Sequence, residues 1–224
     1  MSTRVFNPLF VVIEGLEGVG KSSVLVAVAD RLSAISGLGC VGTREPGGSP
    51  LAEEIRTIFK CETMAGSSPL TQAHLIAAAR SDHIDRTIAP ALARDKNVVC
   101  DRFALSTMVY QGTFPFMAEV VRRLTPDLTI VLTASPENVA KRLAKRSGNQ
   151  PSDWLDRLVS SKHSEMQDRM LSIVANDKCF RVSRNYLVVD TNKYDSVDEV
   201  KLAIEHEWEL ENYFKNAHET LCYI

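Results

Sequence analysis

The stretch Phe10-Val-Val-Ile-Glu-Gly-Leu-Glu-Gly-Val-Gly-Lys-Ser-Ser23 constrains the fold of this chain more than any other. Its four opening apolar residues, Phe10 to Ile13, read as a buried parallel strand. They run into Gly15, Gly18 and Gly20, then Lys21 and Ser22, and a helical stretch over Val24–Ile35. This is the G-x-x-x-x-G-K-[ST] pattern with the strand before it and the helix after it that its chemistry needs. Glycines let successive backbone N–H groups turn inward, and the helix N-terminus adds its dipole to that anion nest. Residues Gly15, Leu16, Glu17, Gly18, Val19, Gly20, Lys21, Ser22 and Ser23 are the expected triphosphate cradle. Lys21 reaches the outer phosphates and Ser22 offers its hydroxyl to Mg²⁺. A chance glycine-rich turn would need neither flank, so the pattern implies a nucleoside triphosphate ligand.

The length of 224 residues suits one α/β domain, 1–224, with ample core. A net charge of −2 provides no extended field for nucleic acid or a membrane surface, so anion binding must be local. The five cysteines form no C-x-x-C pair, which fits a reducing, cytoplasmic setting. Met1–Pro8 has no apolar signal core, and no apolar run is long enough to span a bilayer.

Five short apolar runs alternate with helical patterns: Phe10–Ile13, Cys40–Thr43, Val98–Cys100, Leu128–Leu132 and Leu187–Val189. The alternation predicts a five-stranded parallel sheet with helices on both faces, and a short lid at about 144–157. Ligands of such sheets sit beyond the carboxyl ends of the strands. After the second run, Thr43-Arg-Glu-Pro-Gly-Gly48 forms a rigid loop that presents Arg44, with a helix expected over Leu51–Phe59. Residues Thr71–Ala93 have helical composition, and Arg80 shares a face with Ile76. After the third run, Asp101 stands where a Mg²⁺ shell is completed and Arg102 can fork onto a phosphate. Thr107, Tyr110 and Gln111 line one side of the next helix. Ser135-Pro136 starts a helix that ends in Lys141, Arg142, Lys145 and Arg146, and a polar loop leads to a second helix from about Asp153 that carries Arg157. These cations flank a loop able to close over phosphates. The five histidines show no metal spacing, and a last helix is expected over about Ser196–Phe214.

The segments Glu14–Ser22, Thr43–Gly48, Ala78-Ala79-Arg80, Asp101-Arg102-Phe103 with Tyr110-Gln111-Gly112, and Pro126–Thr129 occur in that order, and together they resemble thymidylate kinase of the bacterial and viral type, a P-loop nucleoside monophosphate kinase. The resemblance covers roughly residues 8–190. It implies phosphoryl transfer from ATP to dTMP in a Mg²⁺-dependent homodimer. Such an acceptor has a second pKa of about 6 and arrives anionic, needing no general base. The difficulty is charge: each pair of unit charges at 4 Å repels by about 4 kcal/mol at an effective dielectric of 20. The resemblance assigns Lys21 to the donor, Arg44 and Arg102 to the acceptor phosphate, and lid cations Arg146 and Arg157 to the transferred group, with Lys145 a further candidate. Glu17 would accept the 3′-hydroxyl, Arg80 would read a thymine carbonyl, Thr107 or Gln111 the ring N–H, and Tyr110 would crowd the 2′ position. The implied catalytic set is Lys21, Arg102, Arg146 and Arg157; the acceptor set is Glu17, Arg44, Pro46, Ile76, Arg80, Arg102, Thr107, Tyr110 and Gln111; the metal pair is Ser22 and Asp101.

Two departures stand out. Ile76 occupies the place where the family usually has a phenylalanine stacked on the base, forgoing about 1 kcal/mol of aromatic interaction. The loop after Arg146 is also longer and less charged than expected. Alternatives are a broad-specificity deoxynucleoside monophosphate kinase, a deoxynucleoside kinase with Glu45 as general base, or a nucleotide-binding module without turnover.

Overall fold

The computed structural model describes residues 7–113, 116, 123–147, 154–177, 181–194 and 196–208, with side chains described except at 146, 147, 197 and 205–208. Five parallel strands, β1 (Phe10–Gly15), β2 (Cys40–Arg44), β3 (Asn97–Asp101), β4 (Leu128–Thr133) and β5 (Tyr186–Asp190), form a sheet in the order β2-β3-β1-β4-β5. All five predicted apolar runs are strands, each a residue or two longer than its apolar core. Every residue of β1 and β4 is buried, so the sheet centre is covered on both faces.

Helix α1 (Lys21–Ser36) packs on β1, β2 and β3 and meets α9 (Val197–Trp208), the described part of the last predicted helix. Helix α2 (Pro50–Lys60) is followed by a single turn, α3 (Glu62–Ala65), and by α4 (Pro69–His83). The predicted helix over Thr71–Ala93 is not uniform: α4 widens into a π segment, Ile84–Ile88, before α5 (Ala89–Leu92). Pro90 has no N–H for the Arg86 carbonyl, and the ladder instead closes from Ala89 N–H to Ile84 O. Helix α6 (Ala104–Tyr110) packs on β1, α4 and α8 (Trp154–Ala175), and α7 (Pro136–Ser147) packs on α8. Residues 148–153 of the expected lid lie outside the described residues.

Register fixes the working edge. Ile13 of β1 pairs with Asp101, and Arg44 of β2 pairs with Asp101 on its other side. The carboxyl ends of β1, β2 and β3 therefore deliver the glycine loop, Arg44 and Asp101 to one rim.

Candidate active site

Beyond that rim lies a cavity of about 820 Å³ whose walls come from the glycine loop and from α2, α4, α6, α7 and α8. Of the expected residues, Glu17, Gly18, Gly20, Lys21, Ser22, Ser23, Arg44, Pro46, Ile76, Arg80, Asp101, Arg102, Thr107, Tyr110 and Gln111 line it. Leu16 and Val19 instead anchor the loop from below, in the main apolar core. Gly15 sits at the end of β1 with φ of 145°, where a Cβ would lie 2.6 Å from the Leu132 carbonyl oxygen. Only glycine fits that crossing.

Lys21 is buried and donates to Leu16 O at 2.7 Å. Burial and then the Arg102 charge push its pKa below the ordinary lysine value. Ser22 Oγ donates to Asp101 Oδ2 at 3.1 Å, while Asp101 Oδ1 is buried with no hydrogen-bond partner among the described residues. A buried carboxylate oxygen left without a donor beside a hydroxyl is a hard-oxygen pair of the kind Mg²⁺ takes when phosphates and water complete its shell. No cluster of three or more His, Cys, Asp or Glu side chains arranged to hold a metal occurs among the described residues.

Arg102 adopts φ of 70° at the turn between β3 and α6, which aims its guanidinium back across the cavity. It donates to Ser106 Oγ at 2.9 Å, Glu17 Oε1 at 2.8 Å and the Tyr110 hydroxyl at 3.4 Å. Burial opposes its charge, but Tyr110, Glu17, Asp101 and Glu14 outweigh that penalty and raise its pKa. Beneath it, buried Glu14 accepts from Phe103 N, Ser106 N and Ser106 Oγ at 2.8, 3.1 and 2.5 Å, which fixes the start of α6. Burial nonetheless raises the Glu14 pKa.

At the other end of the cavity, buried Arg80 donates to Glu45 Oε2 at 2.7 Å and to Thr107 Oγ1 at 2.9 Å, with its guanidinium 4.8 Å from the Phe103 ring centroid. Glu45 also meets His83 Nδ1 at 3.2 Å, and His83 Nε2 meets Thr43 Oγ1 at 2.7 Å. The Glu45 carboxylate thus orients Arg80 and is not free to act as a base. Ile76 packs with Phe59, Met64 and Trp154 in a separate apolar cluster, and Phe59, Ile76 and Leu155 all face the cavity.

The cations are only partly where the sequence suggested. Arg44 lines the cavity but is forked onto Glu53 at 3.0 and 2.9 Å. Arg157 does not line it; its guanidinium lies on Glu62 at 2.8 and 2.6 Å, because the first turn of α8 abuts α3. Lys145 is exposed, and the Arg146 side chain lies outside the described residues. Two other arginines line the cavity instead. Arg56 of α2 donates to Pro46 O at 2.8 Å, and burial and then the Arg44 charge lower its pKa. Arg142 of α7 donates to Val19 O at 3.3 Å and Thr191 Oγ1 at 3.0 Å, bracing the glycine loop. Arg56, Phe59 and Lys60, three and four residues apart, share one face of α2, and that face forms a wall of the cavity.

The thymidylate kinase family model matches residues 13–204 of the chain. A thymidylate kinase of Symbiobacterium thermophilum is 37% identical over 202 residues, covering 86% of this chain and 89% of that protein. One from Mycoplasmoides gallisepticum is 33% identical over 198 residues, covering 84% and 91%. A crystal structure of thymidylate kinase from Ehrlichia chaffeensis superposes with a TM-score of 0.64 at 25% identity, covering 90% of this chain and 99% of that one.

Proposed function

The chain belongs to the thymidylate kinase family, and we propose from that premise how its cavity carries out the transfer of the ATP γ-phosphoryl group to dTMP. It is an ATP-dependent nucleoside monophosphate kinase. The carrying observation is that one cavity joins the glycine loop to Arg102, Arg80 and Gln111. A triphosphate on the loop and a pyrimidine monophosphate against α4 and α6 would then meet end to end.

An acceptor phosphate oxygen attacks the γ-phosphorus, the bond to the β,γ-bridging oxygen breaks, and ADP and dTDP result. The acceptor is already anionic, so the protein supplies position and positive charge. Lys21 holds the donor phosphates, and Arg102, Arg56 and Arg44 hold the acceptor phosphate. Ser22 and Asp101 would hold Mg²⁺, which on binding would neutralise charge developing on the donor phosphates. Glu17 takes the 3′-hydroxyl, Arg80 a base carbonyl, and Tyr110 the space beside the 2′ carbon. Phe59 and Leu155 join Ile76 as the apolar wall of the base slot, so the aromatic face missing at Ile76 is supplied from α2. Arg146 remains a candidate for the transferred group, and Arg157 would have to leave Glu62 to serve it. The family likeness further supports a homodimer and a cytoplasmic setting, and among the described residues no helix is long and apolar enough to cross a membrane.

The test is a product profile with ATP and dTMP, dUMP, dCMP, dAMP and dGMP offered separately, with thymidine as a further acceptor. Preference for dTMP is expected. Phosphorylation of thymidine, or no preference among the monophosphates, overturns the reading.

A further inference from the structure

Gln72 is buried on α4, behind the cavity wall and next to Gln111. Its Nε2 donates to two backbone carbonyls, Met64 O at 3.0 Å and Ser67 O at 3.3 Å. Carbonyls accept only, so the Gln72 amide has one tolerable orientation; turned over, its oxygen would face both of them. With the nitrogen fixed in that way, Gln72 Oε1 faces Gln111 and accepts from Gln111 Nε2 at 3.3 Å. The Gln111 NH₂ is thereby committed to Gln72, and its Oε1 is the end left for the cavity that Gln111 lines. Direction passes from the α3–α4 backbone through one amide to the next.

We propose that Gln72 is a positioning residue for base selectivity, fixing the Gln111 carbonyl toward the cavity so that the site takes pyrimidines with an N3–H donor, thymine and uracil, over cytosine. This rests on the reading of the cavity as a pyrimidine monophosphate site. An unrestrained glutamine turns its amide over and serves either edge, so Gln111 alone would discriminate poorly. Held by Gln72, it sets an acceptor against the N3 lone pair of cytosine and leaves both unpaired.

The full-length enzyme with ATP and either dUMP or dCMP tests this directly. The two acceptors share C5–H and differ only along the N3 and C4 edge. Wild type should favour dUMP, and Gln72→Leu should lower the dUMP:dCMP ratio of kcat/KM at least about tenfold with KM for ATP unchanged. Gln72→Glu keeps an oxygen facing Gln111 and should hold the wild-type ratio within about threefold, even with a lower Tm from the Met64 and Ser67 carbonyls losing their donor. Should Gln72→Leu fail to fold, Gln72→Lys replaces it: it presents N–H to Gln111 in place of oxygen, and the ratio should fall or invert. An unchanged ratio in Gln72→Leu or Gln72→Lys, or an equal loss in Gln72→Glu, overturns the proposal while dTMP kinase activity stands. A wild type inactive on both dTMP and dUMP overturns the functional reading and this inference with it.

Discussion

Glu17, a carboxylate inside the phosphate loop, accepts a 2.8 Å hydrogen bond from Arg102, a residue 85 positions away. The pair accounts for an acidic residue in an anion nest: the charge is turned toward Arg102, in the half of the cavity proposed for the acceptor, and balanced there. Removing Glu17 should therefore harm the acceptor more than the donor. Glu17→Ala is expected to lower kcat/KM for dTMP on the order of tenfold or more, with KM for ATP little changed. Wild type should discriminate dTMP from its 3′-deoxy analogue, and the variant should not. Retained discrimination would falsify the assignment of the 3′-hydroxyl to Glu17.

Lys21 carries a charge that burial and then Arg102 oppose more than Glu17, Asp101 and Glu14 support it, so its pKa is lowered. A group whose folded pKa lies below its unfolded value costs stability while charged, and the cost fades as pH rises from the lowered value toward the ordinary value of 10.5. Function and stability should therefore separate. Lys21→Met is expected to cut turnover at least about a hundredfold while leaving Tm at pH 7 equal or higher. Rates near wild type, or a Tm that drops together with activity, contradict this.

Arg102→Ala should also cost about a hundredfold in turnover, because it removes both the cation proposed for the acceptor phosphate and the partner of Glu17. Circular dichroism melts check that α6 persists, as Glu14 still holds Phe103 N and Ser106 N.

Tyr110 has two separable parts. Its hydroxyl meets Arg102 at 3.4 Å, and its ring centroid lies 5.2 Å from that guanidinium. If the ring fills the space beside the 2′ carbon, Tyr110→Ala should improve use of the ribonucleotide relative to dTMP, whereas Tyr110→Phe should not. The same deoxy:ribo ratio in Tyr110→Ala as in wild type rejects the role.

The strand–loop–helix and the residues after β2 and β3 were legible because their chemistry is local: a turn needs glycine, and a strand end in a parallel sheet faces ligand. Arg56 and Phe59 were not, because α2 reads as an ordinary amphipathic connector until its packing on α4 turns that face inward. Arg157 shows the complementary limit. A basic residue after a polar loop looks like a lid cation, yet the contact of α8 with α3 gives it Glu62 as a partner. Glu45 illustrates the same limit, since nothing in its neighbours announces Arg80 35 residues on and His83 38 residues on.

His163 offers a test of stability. It lies on α8 just after the non-helical Lys162, it is 4% exposed, and neither ring nitrogen has a hydrogen-bond partner among the described residues. Burial lowers its pKa below the ordinary 6.5. The unfolded chain takes up a proton near pH 6.5 and the folded one only at lower pH, so folding loses stability as pH falls from 6.5 toward the lowered value, and that loss is absent above 6.5. Leucine has nothing to protonate and no unpaired ring N–H, whose burial costs about 1–3 kcal/mol. The difference in Tm, His163→Leu minus wild type, should therefore be larger at pH 5.5 than at pH 8. A gap that is constant or shrinks on acidification would mean that the imidazole finds a partner or reaches water in the folded protein.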